Sequence, residues 1–143
     1  MKNKIKILLS LITMIAIDQI AKILVKTNNI DLSIIKYFEN YNKQSLDIFI
    51  IITIATFSIL IISMILIKNK STLYKNGIIM IFAGGISNML DIIIKQSVTD
   101  YLIIGQTNIN LSDIYTIIGW LLIIIELGTT LYKKQEIQWK KKK

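Results

Sequence analysis

The chain contains no cysteine, no histidine and no proline, and every one of its 17 basic residues is a lysine. The first two absences remove whole chemistries. Without a thiol or an imidazole there is no disulfide, no Cys/His metal site, no thiol nucleophile and no Ser-His triad. What remains is carboxylate chemistry, a Ser–Lys pair, a metal site built from carboxylates, or no catalysis at all. No thiol is present to report the redox compartment. Missing arginine removes the planar, bidentate donor best suited to carboxylates and phosphates. The lack of Arg and Pro beside abundant Ile, Asn and Lys reads as the coding bias of an AT-rich genome.

Apolar residues are what the chain has in excess. They make up 53% of 143 residues, and they come in blocks rather than at amphipathic spacing. Four blocks, at about 5–25, 48–67, 77–94 and 114–131, approach the ~20 residues that cross a hydrocarbon core of about 30 Å. They leave too little chain for a separate soluble core. The fold class expected is an all-α membrane protein: one integral domain over 1–143, with four transmembrane helices.

The formal net charge of +8 would suit nucleic acid, but its distribution points to a membrane. Lys2, Lys4 and Lys6 precede the first span, and Lys68, Lys70 and Lys75 separate the second from the third. Lys133, Lys134 and Lys140 to Lys143 follow the fourth. Lysines gathered on one side predict that both termini are cytoplasmic and that residues 26–47 and 95–113 face outward. The terminal lysine run predicts contact with anionic lipid, and no nucleic-acid partner is expected.

In chain order, residues 1–25 resemble a signal peptide, but no A-x-A-like site follows and Asp18, Gln19 and Lys22 interrupt the apolar run. An uncleaved first helix is expected. Asp18 and Lys22 are four apart and share a helix face; they suit a structural ion pair or a direct part in substrate binding. In the first outer connection, Ile34-Ile35 and Tyr37-Phe38 suggest short strands, a small β-like extracytoplasmic segment after helix 1, or else an interfacial patch, and a plain linker fits the residues nearly as well. The second span carries no ionisable residue, and no function attaches to it.

The third span carries Gly84, Asn88, Asp91 and Lys95 on one helical stripe, with Gly84-Gly85 leaving room for a neighbouring helix. The chain leaves this helix at Lys95–Gln96, runs through Asp100, and enters the fourth span at Asn110-Leu111-Ser112-Asp113. Carboxylates at a bilayer are costly, which makes them functional candidates. Asp113 also suits a plain helix N-terminus, and Asp91 and Asn88 a polar seam between helices. Asp100 and Asp113, both at the outer face, form the pair best placed for chemistry. Two carboxylates held close share one proton, so one can act as base while the other polarises a carbonyl.

These residues also carry a resemblance. Asp18-Gln19-x-x-Lys22, Gly84-Gly85-x-x-Asn88-x-x-Asp91, Val98-x-Asp100-Tyr101 and Asn110-x-x-Asp113 resemble, in order, the lipoprotein signal peptidases, the signal peptidase II family of bacterial membrane aspartic proteases. The likeness covers nearly everything but the lysine tail. It implies a catalytic dyad of Asp100 and Asp113, with Asn88 and Asn110 orienting dyad and substrate. It further implies that Asp18, Lys22 and Asp91 brace the helices, and that Asn42 belongs to a small β-structure over the site. No metal or cofactor is implied. The implied substrates are prolipoproteins carrying a diacylglyceryl-modified Cys, cleaved by a monomer at the outer face of the cytoplasmic membrane.

The chain departs from the family pattern in places. Ile92 stands where the family has Arg, Gln44 for Gly, Tyr101 for Phe, Ser112 for Ala and Ser87 for Gly. Lys95 is a candidate replacement for the missing Arg. A catalytically altered relative therefore stays open, as does a small four-helix proton-coupled transporter using Asp18, Asp91 or Glu126. A transporter favours an acid near the midplane, whereas the two leading acids here sit at an outer connection.

Overall fold

The computed structural model describes residues 2–28, 30, 34–40, 43–66 and 71–142. Among the described residues, four helices and three strands follow one another as α1 (Lys2–Thr27), β1 (Ile35–Asn40), α2 (Lys43–Leu66), α3 (Thr72–Lys95), β2 (Val98–Ile104), β3 (Thr107–Ile109) and α4 (Leu111–Lys142). Among the described residues, three helical stretches are long and apolar enough to cross a membrane: Ile5–Thr27, Thr72–Lys95 and Leu111–Lys140. In α2 the described apolar stretch is shorter, Ile50–Ile62.

The helix ends have identifiable causes. Ser71 opens α3, its hydroxyl accepting from the Tyr74 amide at 3.1 Å, which satisfies one of the free first-turn N–H groups. Gln96 closes it in the left-handed region at φ 56°, its amide reaching back to the Ile92 carbonyl. At the other extreme, α4 runs on past the expected end near 131. No Pro or helix-terminating Gly stops it, and Glu136 pairs with Lys140 one turn on at 2.6 Å.

The packing is centred on α3. Half of its apolar window is buried, against 11% for α1 and for α4. Glycines let α4 approach it closely: a Cβ on Gly77 would lie 2.7 Å from the Gly119 carbonyl oxygen, and one on Gly119 would lie 2.6 Å from that of Gly77. On another side, a Cβ on Gly85 would meet the Phe57 ring of α2 at 2.7 Å. The apolar core is small, with Leu60, Tyr74, Ile78, Ile81 and Ile123. Much of the buried material is polar instead, including Asp18, Lys22, Ser87, Asn88, Asp91, Asp100 and Asn110. Ile, Leu and aromatic side chains lie exposed along α1, α2 and α4. Polar inside and apolar outside is the arrangement of a bundle whose solvent is lipid.

The β-structure is larger than the sequence suggests. The first outer connection supplies β1 as expected, but the second also folds, into β2 and β3. The three strands form one antiparallel sheet in the order β1-β2-β3. Two residues, Gly105 and Gln106, join β2 to β3, and Gly105 has φ +61°, a conformation that glycine adopts without strain and that two-residue hairpins require. Register places Asp100 opposite Phe38 and Thr99 opposite Glu39. Asp100 thus comes from the central strand of a sheet at the end of the bundle, rather than from a loop.

Candidate active site

The start of α4 builds the site. Asn110 accepts from the Asp113 amide through its side-chain oxygen at 3.0 Å. Asp113 Oδ2 in return accepts from the Asn110 amide at 3.1 Å. This reciprocal pair is a capping box, closing two of the helix's free donors at once. It leaves each residue a second polar end, and both are used. Asn110 Nδ2 donates to Asp100 Oδ1 at 2.8 Å, and Asp113 Oδ1 accepts from Asn88 Nδ2 at 2.9 Å. Asn110 is therefore bonded to both carboxylates, one through its amide side chain and one through its backbone.

The orientation of the two asparagine amides follows from their neighbours. An ammonium group can only donate, and Lys22 Nζ lies 2.8 Å from Asn88 Oδ1. The oxygen of Asn88 must face Lys22, so its NH2 faces Asp113. At Asn110 the donor next to Oδ1 is the Asp113 amide, which turns the NH2 toward Asp100. Each carboxylate thus receives an amide N–H.

Behind the asparagines lies a buried charge cluster. Lys22 Nζ is 2.8 Å from Asp18 Oδ2 and 3.0 Å from Asp91 Oδ2, with all three side chains fully buried. Asp18 also accepts from the hydroxyls of Ser87 and Ser112, each at 2.7 Å, and from the Ser112 amide at 3.2 Å. Ser112 Oγ in turn lies 2.8 Å from Asn88 Oδ1 and 2.7 Å from Asn110 Oδ1. Asp91 takes the Thr99 amide at 3.2 Å, which ties the end of α3 to β2. Every ionised oxygen in the cluster is met by donors, the condition under which buried charge is tolerable.

Tyr101 fastens the sheet to the helices. Its hydroxyl donates to Asp18 Oδ1 at 3.2 Å and accepts from the Leu111 amide at 3.2 Å. Burial, and next the nearby Asp18 charge, push the phenol well above the usual tyrosine range. It stays neutral at any physiological pH.

A cleft of about 280 Å³ opens beside Asp113 and Asn88. Its walls are largely apolar: Ile52 and Phe57 from α2, Ile81 from α3, Ile117 and Trp120 from α4. Asp100 and Asn110 do not line this cleft; Asn110's bonds link Asp100 to Asp113, which does. The second helix, to which the sequence attached no role, forms one wall, with Thr53, Thr56 and Phe57 turned to the cleft. Their spacing at i, i+3 and i+4 was the available signal.

The structure brings together Asp18, Lys22, Asn88, Asp91, Asp100, Asn110 and Asp113. Asn42 lies outside the described residues. Lys95 turns back onto Asp91 at 3.1 Å and Thr99 at 3.4 Å, and Ile92, at the position of the family's Arg, is buried at 8% exposure. Neither lines the cleft. Among the described residues no group of three or more acidic side chains is arranged to hold a metal ion.

Comparison with known proteins gives a family match. The family model described as signal peptidase (SPase) II aligns with residues 10–129. Two solved structures of bacterial membrane enzymes, both determined by the in meso method, share the fold. One superposes with a TM-score of 0.74 at 22% identity, covering 85% of this chain and 92% of its own. The other gives 0.77 at 21% identity, covering 90% and 91%. No curated protein matches the chain.

Proposed function

This chain belongs to the signal peptidase II family, and from that premise we propose that it is an aspartic endopeptidase cleaving the signal peptide from lipid-modified prolipoproteins. Asp100 and Asp113 are its catalytic pair. The observation that carries this reading is the double bonding of Asn110, at 2.8 Å to Asp100 and at 3.1 Å to Asp113. One small residue ties the two carboxylates to each other, and Asp113 lines a cleft that opens among apolar helices.

In the mechanism the pair shares a single proton, because two carboxylates at such a site do not both ionise readily. Its ionised member takes a proton from a water molecule, and the water oxygen attacks the scissile carbonyl. Meanwhile the protonated member donates to the carbonyl oxygen as negative charge develops there. Collapse of the tetrahedral intermediate passes a proton to the leaving amine and restores the pair. Asn88 and Asn110 hold the carboxylates in position through the amide donors already described. No metal or cofactor is required by these steps.

The cleft accounts for the substrate class. A precursor whose signal peptide is a transmembrane helix brings its diacylglyceryl-modified Cys to the membrane interface. The wall formed by Ile52, Phe57, Ile117 and Trp120 takes the apolar part, and Asp113 with Asn88 marks the polar end where the peptide bond sits. Asp18, Lys22 and Asp91 act as the brace. The enzyme works as a monomer in the cytoplasmic membrane, with both termini inside and the aspartates at the outer face. Expression in a bacterial strain lacking its own prolipoprotein peptidase tests the reading. Restored processing of lipid-modified precursors is expected, and a persistent precursor pool despite abundant folded protein would refute it.

A further inference from the structure

We propose that Ser112 is a positioning residue for the aspartate pair, its hydroxyl pinning the side-chain oxygens of Asn88 and Asn110 and, through them, both carboxylates. This role rests on the reading of Asp100 and Asp113 as the catalytic pair. Position 112 is one of the chain's departures from the family pattern, so the pin belongs to this chain rather than to the shared machinery.

Local structure brings the hydroxyl there. Ser112 is the second residue of α4 and stands between the two members of the Asn110–Asp113 capping box. Its amide donates to Asp18 Oδ1 at 3.2 Å, which ties the start of α4 to α1. From α3, Gly84 packs so closely that a Cβ there would collide with the Ser112 carbonyl. Ser112 is left with no exposure and no room to withdraw from its neighbours.

Three oxygens surround Ser112 Oγ: Asp18 Oδ2 at 2.7 Å, Asn110 Oδ1 at 2.7 Å and Asn88 Oδ1 at 2.8 Å. Lys22 Nζ donates to it at 3.3 Å. A hydroxyl has one proton and turns to place it, so a single O–H serves the brace on one side and both asparagines on the other. The asparagines extend its reach. Asn88 passes its NH2 to Asp113 at 2.9 Å, and Asn110 passes its own to Asp100 at 2.8 Å. An amide is planar, so fixing its oxygen fixes the direction of its N–H groups. An O–H bond to that oxygen also polarises the amide and strengthens the N–H bond at its other end.

Ser87 supplies the contrast. Its hydroxyl also donates to Asp18 Oδ2 at 2.7 Å, it is equally buried, and it accepts from Gln19 Nε2 at 3.0 Å. Among the described residues, neither asparagine side chain is one of its hydrogen-bond partners. The two serines are alike toward the brace and different toward the aspartate pair.

Ser112→Ala and Ser87→Ala therefore form a matched test. Melting temperatures of the two purified variants should fall by similar amounts, since each loses one hydroxyl bond to a charged acceptor. Processing of a lipid-modified precursor should separate them. Ser112→Ala should lower kcat about tenfold, less than the roughly 100-fold that misplacing a reacting group by about 1 Å costs. Its KM should hold, because Ser112 does not line the cleft. Ser87→Ala should keep the parent's kcat and KM. Equal kcat in the two variants would overturn the proposal and leave Ser112 as part of the brace alone. The side-chain amide NMR signals of Asn88 and Asn110 give a readout that needs no turnover. Both should shift and broaden in Ser112→Ala and stay in place in Ser87→Ala; unmoved signals in Ser112→Ala would overturn the proposal as well. A parent enzyme that processes no precursor would refute the peptidase reading, while the amide signals would still decide what Ser112 holds.

Discussion

Lys22→Met is the sharpest test of the brace. The substitution keeps a long apolar stem but removes an ammonium group lying 2.8 Å from Asp18 and 3.0 Å from Asp91, with no exposure on any of the three. Removing one member of a buried ion pair costs about 3–5 kcal/mol, because the partner charge stays behind uncompensated. Some compensation remains here. Lys95 still reaches Asp91 at 3.1 Å, and the hydroxyls of Ser87, Ser112 and Tyr101 still donate to Asp18. The low end, about 3 kcal/mol, is therefore expected, which corresponds to roughly 10 °C of melting temperature for a domain of this size. Asp18→Asn should cost less, since Lys22 keeps Asp91 and the amide keeps an acceptor oxygen. A thermal melt of each purified variant in detergent, with the amount of folded protein in membranes, gives the comparison. Lys22→Met also removes one of the three donors that fix Asn88 Oδ1, the others being Asn110 Nδ2 and the Ser112 hydroxyl, so Asn88 holds Asp113 less firmly and activity per folded molecule should fall. A Lys22→Met protein that melts with the parent and accumulates normally would refute the reasoning.

Three further outcomes are expected. Gly84→Ala places a methyl group against the Ser112 carbonyl and the Thr116 hydroxyl, so α3 and α4 must separate at about 1–3 kcal/mol; an unchanged melting temperature would contradict the close crossing. Tyr101→Phe should cost about 1 kcal/mol at neutral pH by leaving the Leu111 amide and Asp18 Oδ1 each one partner short. Because burial raises the Tyr101 pKa above its unfolded value near 10, its stabilisation is complete below about pH 10 and is lost as pH rises above that; the variant's stability should decline less than the parent's in melts run above pH 10, and identical alkaline profiles would count against the buried phenol. Reporter fusions within 102–108 should read as external and those after 135 as cytoplasmic, and an internal 102–108 segment would place the aspartates on the wrong face.

The helices were legible because lipid imposes a simple rule: about twenty apolar residues in a row. Their ends were less so. The fourth helix starts at Leu111 rather than at the first residue of its apolar run, because Asn110 and Asp113 cap each other and carry the helix one turn outward. Hairpin signals were present in Val98–Ile104, which is rich in β-branched residues, and in the Gly105 turn, but Asp100 and Tyr101 drew attention as chemistry rather than as strand. That Asp18, Asn88 and Asp91 share faces with their neighbours followed from spacing. What spacing could not give is the convergence of α1, α3 and the start of α4 on one ammonium group. Ser112 and Ser87, noticed in the sequence only as departures from a pattern, turn out to hold Asp18. Serine hydroxyls leave no sequence signature of such a role.

The central claim is that Asp100 and Asp113 act as one catalytic unit, and processing of a lipid-modified precursor by Asp100→Asn, Asp113→Asn and the double variant tests it most directly. Measured in membranes and normalised to folded enzyme, each single change should lower the rate by at least about a thousandfold, since shared acid–base work and the activated water are lost together. The double variant should be scarcely worse than either single, the non-additivity of groups acting as a unit. Near-parental processing by a well-folded Asp100→Asn or Asp113→Asn enzyme would contradict the account.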